Sequence, residues 1–179
     1  KYEGAGKMVS MLAKFFRISL SQGKDIIPLQ KELEHAVSYL SIQNVRFQDK
    51  FTFTVDWDEK LADCLCPKLV IQPLLENAVY HGMEGMYEDG EIQLKIYAVN
   101  ELVHIDNGEG MTEAQVQKMM QGDVVSSKRG SGIGVKNVND RIKLYFGEAY
   151  GVQIISAPDE GTTARIYFPM RRQEDEIEK

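Results

Sequence analysis

The apolar positions change period along the chain, and the changes mark out the elements. Met8, Met11, Leu12, Phe15, Phe16, Ser19 and Leu20 recur at helical spacing, so residues 2–22 read as one amphipathic helix ended by Gly23. Leu33, Ala36, Val37 and Leu40 line one face of a second helix, from about Leu29 to Phe47, with Pro28 in the loop before it. The two fit an antiparallel hairpin. The apolar face of the first helix has no obvious partner within the chain, which points to dimerisation. Period two then takes over, as Phe51, Phe53 and Val55 alternate with Thr52, Thr54 and Asp56 in a strand. Pro67 to Gly82 returns to helical spacing through Leu69, Val70, Leu74, Ala78 and Val79, and Pro73 is expected to kink or reset that helix.

The second half is read the same way. Glu91–Val99 alternates through Ile92, Leu94 and Ile96, Asn100-Glu101 suits a tight turn, and Leu102–Ile105 is a short strand. Thr112–Met120 reads as a helix, and the polar stretch 121–131 is long for a plain connection. Ile133–Phe146 is a helix with Val135, Val138, Ile142 and Tyr145 on one face and Gly147 at its end. Val152–Ser156 and Thr162–Phe168 form a last hairpin, and the charged tail after Arg171 is expected to fray. The strands come as hairpins and not as repeated strand–helix–strand units. The predicted class is therefore α+β, a two-layer α/β sandwich with helices on one face of a mixed sheet, preceded by a helical segment.

Composition narrows the function. The 179 residues carry 21 Lys+Arg against 27 Asp+Glu, a net charge of −6, which disfavours a nucleic-acid partner. No apolar run approaches the roughly 18–20 residues of a membrane span. The start, Lys1 to Lys7, is polar and lacks an initiator Met, which predicts a piece excised from a longer protein. Cys64 and Cys66, separated by one residue, are badly placed for a disulfide and lack companions for zinc, so they read as small buried hydrophobes. His35, His81 and His104 form no ligand pattern.

Three short constellations carry candidate chemistry. Asp106-Asn107-Gly108-Glu109-Gly110-Met111 follows a strand: its glycines admit a sharp turn and a flat ligand, and its carboxylate accepts from an amine. An ordinary Asn-Gly turn has the same sequence. Gly130-Ser131-Gly132-Ile133-Gly134 precedes a helix, where backbone N–H groups face an anion. Lys128, Arg129, Lys136, Arg141 and Lys143 against Asp123 and Asp140 give this stretch a local charge of +3. That would attract a polyphosphate, though a solvated basic helix face is equally consistent. Third, Glu76, Asn77 and His81 lie on an otherwise apolar helix, Asn77 and His81 four residues apart on one face. A carboxamide oxygen there suits Mg²⁺, and a hydrogen-bonded polar rim is the plainer alternative.

Taken together, the motifs resemble a known family. PKLVIQPLLENAVYHG, DNGEGM, GSGIGVKNVNDRIKLYFG and DEGTTARIYFP are similar to the ATP-binding domain of YesM/LytS-type sensor histidine kinases. That domain belongs with the gyrase, mismatch-repair and heat-shock ATPases in the Bergerat-type fold. The upstream PLQKELEHAVSYLSIQNVRF resembles the segment that precedes the domain in these kinases, so the likeness covers about residues 28–170.

The resemblance implies roles. Asn77 would hold Mg²⁺ on the ATP phosphates, with Glu76 in support and His81 close by. Asp106 would accept from the adenine amine, Gly108 and Gly110 would shape the base pocket, and Thr162 would help anchor the base. Gly130, Gly132 and Gly134 would form the lid over the phosphates. Residues 1–48 would be the end of a dimerisation and phosphoacceptor region, 49–171 the catalytic domain and 172–179 a tail. The implied reaction moves the γ-phosphoryl group of ATP to a histidine upstream of residue 1, in a cytoplasmic domain of a homodimeric membrane receptor that serves a response regulator. His35 lies in the family's later helix and is not expected to be the acceptor. Hydrolysing relatives place a glutamate where this chain has Pro73, which disfavours an ATP-hydrolysing clamp. A nucleotide-sensing module that never transfers phosphate is the other alternative.

Overall fold

The computed structural model describes residues 2–20, 24–48, 50–83, 90–107, 133–157 and 161–172. The first helix, α1 (Tyr2–Leu20), packs on α2 (Leu29–Arg46). The expected pairing of the two helices is therefore present, and α1 does have a partner inside the chain. Its Phe15 ring stacks on His35 at 4.4 Å and tilts against Tyr39 at 6.5 Å. Val9, Phe16 and Leu20 remain exposed.

Residues predicted as loop and helix start instead form a small two-stranded sheet. β1 (Ile26–Pro28) pairs antiparallel with β3 (Leu65–Pro67), Ile27 opposite Cys66. This arrangement also caps α2. The N–H groups of Leu29 and Gln30, orphaned at a helix start, donate to the carbonyls of Cys64 and Ala62 at 2.7 and 3.1 Å. Both cysteines are reduced and buried, and burial pushes the Cys66 thiol well up.

The main sheet has the order β2-β4-β5-β7-β6, built from β2 (Phe51–Trp57), β4 (Gly90–Val99), β5 (Leu102–Asn107), β6 (Gly151–Ala157) and β7 (Gly161–Pro169). β2 runs parallel to β4 and every other pair is antiparallel, so the sheet is mixed as expected. The β4–β5 turn puts Asn100 and Glu101 at φ 50° and 64°, the left-handed pair that matches the twist of a two-residue hairpin. β5 runs two residues further than predicted and carries Asp106 within it.

Two more helices cover one face. α3 (Gln72–Met83) lies against β4 and β5, and α4 (Ile133–Phe146) against β6 and β7. Ile92, Leu94, Ile96, Val103, Ile105, Ile166 and Phe168 of the sheet share one core with Leu74, Leu75 and Val79 of α3 and Val135, Val138 and Ile142 of α4. Leu29, Leu33, Ala36 and Leu40 of α2 join the same core. The alternate β4 residues Glu91, Gln93 and Lys95 face solvent. Tyr145, expected on the buried face of α4, is exposed, because after Ile142 the apolar stripe continues through Phe146, whose ring stacks on Phe168 at 5.2 Å. Gly147 ends α4 at φ +103°, its N–H donating to the Lys143 carbonyl at 2.8 Å. The predicted helix 112–120, the polar connection 121–131 and the tail 173–179 lie outside the described residues.

Candidate functional site

The helix with Glu76 and Asn77 begins later than the apolar pattern suggested, and the reason is local. After β3 the chain turns sharply, with Leu69 in the left-handed region at φ 58°. The Leu74 and Leu75 N–H groups then bond to the Ile71 carbonyl, so Ile71 caps the helix and Gln72 is its first residue. Pro73 thus falls in the first turn, where a missing N–H costs no helical hydrogen bond. It helps start α3, and the expected mid-helix kink does not arise.

The turn rests on a residue that the sequence reading passed over. Glu32 of α2 is 1% exposed, and its carboxylate accepts three successive backbone N–H bonds. Oε2 takes Leu69 at 2.8 Å, and Oε1 takes Val70 and Ile71 at 2.8 and 2.9 Å. Burial pushes this carboxyl up from its ordinary value, while the three N–H donors and the Arg141 guanidinium pull it back. The available signal was a glutamate on the same helical stripe as Leu29, Leu33 and Ala36.

One turn into α3, Gln72 Nε2 donates to Glu76 Oε1 at 2.7 Å. The neighbouring Asn77 holds a buried Nδ2 with no hydrogen-bond partner among the described residues. A buried amide end without a partner costs free energy, and amide N and O exchange by a simple flip. The side chain as a whole is half-buried, and its carboxamide oxygen is a hard, neutral acceptor. Among the described residues no group of three or more His, Cys, Asp or Glu is gathered, and a lone carboxamide oxygen has the hard-donor chemistry that Mg²⁺ accepts beside phosphate oxygens. His81 lies one turn further along α3.

The other candidates converge on this helix in part. Gly134, in the first turn of α4, faces Pro73: a Cβ placed on Gly134 would lie 3.4 Å from the Pro73 Cβ. Gly134, the last residue of the Gly-rich motif, is thereby adjacent to the Asn helix. Asp106 is the penultimate residue of β5, opposite Lys95 on one side and Arg165 on the other. Asn107 pairs with Ala164, and Thr162, opposite Ser156, lies two residues beyond towards the same end of the sheet. Gly108, Gly110, Gly130 and Gly132 lie outside the described residues.

The basic residues of α4 have other engagements. Lys136 pairs with Asp140 at 2.6 Å, and Lys143 with Glu148 at 2.8 Å, which raises the Lys143 ammonium pKa. Arg141 donates to the Lys68 carbonyl at 2.7 Å. All three contacts lie at the surface of α4. His35 is fully buried, and burial lowers its imidazole pKa to about 4. No described helix is long and apolar enough to cross a membrane.

Comparison with known proteins agrees with this architecture. Residues 63–172 match the family described as histidine kinase-, DNA gyrase B-, and HSP90-like ATPase, and residues 1–51 match a histidine kinase family. Among curated proteins, the sensor histidine kinase YesM of Bacillus subtilis is 36% identical over 93% of this chain and 28% of its own length. The sensor protein LytS of Bacillus anthracis is 32% identical over 97% of this chain and 30% of its own. The chain thus spans under a third of the curated relatives that it matches. Among solved structures, the Acinetobacter baumannii histidine kinase AdeS covers 96% of this chain and 81% of its own, at a TM-score of 0.57 and 13% identity. The catalytic domain of the histidine kinase ThkA covers 81% of this chain and 94% of its own, at a TM-score of 0.58 and 16% identity. At those identities the two structures bear on the fold alone.

Proposed function

The chain belongs to the histidine kinase-, DNA gyrase B-, and HSP90-like ATPase family, in its sensor histidine kinase branch, and from that premise we propose that it moves the ATP γ-phosphoryl group to a histidine outside residues 1–179. The observation that carries the reading is half-buried Asn77, whose Nδ2 has no partner among the described residues, on the helix packed over β5. Asn77 would hold Mg²⁺ on the phosphates, with Glu76, oriented by Gln72, in support and His81 near the same phosphates. When bound, the metal supplies charge neutralisation on the phosphates. Asp106 and Thr162 would take the adenine at the shared end of β5 and β7, with Gly108 and Gly110 shaping the pocket. Gly130, Gly132 and Gly134 would close over the phosphates.

Phosphoryl transfer depends on positioning and electrostatics more than on covalent help from the protein. The residue four before Asn77 supports transfer over steady hydrolysis. Pro73 has no group to activate water, and its ring is packed towards Gly134.

The partners follow from this reading. They are the phosphoacceptor segment of the same receptor, a response regulator, and a second copy in the full-length protein. Val9, Ala13, Phe16 and Leu20, at helical spacing on the exposed side of α1, suit the second copy. The division into helical segment 1–48, catalytic domain 49–171 and tail 172–179 belongs to the same proposal, as does a cytoplasmic location beneath a membrane receptor.

The deciding experiment supplies the chain with labelled ATP and the upstream histidine segment, in cis or in trans. Acid-labile, alkali-stable label on that segment is expected. Free phosphate release with no labelled histidine would favour the hydrolysing clamp.

A further inference from the structure

The turn 68–71 is fastened on three sides, each by a different part of the chain. The Lys68 N–H donates to the Asp25 carbonyl at 2.9 Å, and the Lys68 Nζ lies 3.2 Å from the Asp25 carboxylate. The Lys68 carbonyl accepts from Arg141 of α4. The N–H groups of Leu69, Val70 and Ile71 converge on Glu32 of α2. Three consecutive N–H groups around one anion fix the orientation of each peptide plane. They also compensate for the left-handed conformation of Leu69, which a side chain with a Cβ adopts at a cost. The last residue in this grip, Ile71, is the cap of α3, and Asn77 lies six residues on. Helix α3 is therefore oriented by a carboxylate belonging to α2.

We propose that Glu32 is a positioning residue: through the turn 68–71 it sets α3, and with it Asn77, relative to α2, so that a displacement of α2 is felt at the phosphate-binding end of the nucleotide site. The inference rests on the reading of Asn77 given above and extends it to the residue that holds Asn77 in place. A neutral amide cannot replace this carboxylate, because its NH₂ end would meet a backbone N–H donor to donor. The effect should fall on the phosphates and the metal. The base pocket at the end of β5 is built from other elements.

The test uses the chain with Glu32→Gln. A double variant, Glu32→Gln with Leu69→Gly, is added because glycine relieves the left-handed turn and protects against a folding failure. ATP binding is titrated with and without Mg²⁺, and amide exchange is followed at residues 69–71. Both variants are expected to lose protection across residues 69–71 and about tenfold of the affinity gained from Mg²⁺, with Mg²⁺-free affinity unchanged within about twofold. An equal loss with and without Mg²⁺ would mean general loosening and would overturn the proposal. So would a full Mg²⁺ gain in chains that have lost the protection. Failure of the unsubstituted chain to bind ATP under either condition would instead overturn the reading of the site itself, and this inference with it.

Discussion

Phe15 of α1 lies stacked on His35 of α2, ring centroids 4.4 Å apart and planes within 20°. The stack excludes water from an imidazole that is fully buried in the helical segment, and burial holds its pKa at about 4 against an ordinary 6.5. The unfolded chain therefore binds a proton at this site in a range where the folded chain does not. Stability from His35 is full above pH 6.5 and is lost as pH falls through about 4. Urea midpoints should fall across that window, and His35→Phe, which keeps the stack, should flatten the fall. An equally steep fall in the variant would assign the effect to other groups.

In its proposed role Asn77 can be removed at little expense to the fold. Asn77→Ala removes a buried donor that has no partner among the described residues, which offsets the lost packing. Unfolding free energy should change by no more than about 1 kcal/mol, while Mg²⁺-dependent ATP affinity falls by about tenfold or more. Calorimetric titration with and without Mg²⁺ checks both. Intact Mg²⁺-dependent binding would remove Asn77 from the proposed site.

Asp106 in its proposed role discriminates between bases. A carboxylate accepts from the adenine amine but meets the guanine oxygen as acceptor against acceptor, a mismatch of about 1–3 kcal/mol. ATP should bind at least about tenfold more tightly than GTP, and Asp106→Asn should lower ATP affinity because its amide presents a donor to a donor. Equal affinity for the two nucleotides in competition would sink the assignment.

Gly134 separates space from function. A Cβ there would meet the Pro73 Cβ at 3.4 Å, an ordinary contact, and alanine is the better helix former by up to about 1 kcal/mol. Gly134→Ala should leave the melting temperature unchanged or raise it. If the glycine serves lid closure, Mg²⁺–ATP affinity should drop by about tenfold all the same. A stable variant with undiminished affinity would show that Gly134 is needed neither for folding nor for closure.

Much of this fold was legible because it is decided locally. The alternation in 91–99, the Asn100-Glu101 turn and the helix ended by Gly147 depend on residues within a few positions of one another, and all three are present. The order of the motifs was legible for the same reason. What tertiary structure alone decided is long-range: the parallel pairing of β2 with β4, the β1–β3 sheet, and the start of α3 at Gln72. That start was set neither by the apolar period nor by Pro73 alone. It was set by Glu32, 39 residues before Ile71, whose carboxylate fixes the turn. A periodic pattern reports which face of an element is apolar, and it does not report which distant polar group will satisfy the backbone where that element begins. Sequence by itself therefore determined most of the elements and named the candidate residues for their chemistry. Folding decided where α3 begins and which carboxylate holds it, because a buried charge is tolerated only where donors from another part of the chain converge on it.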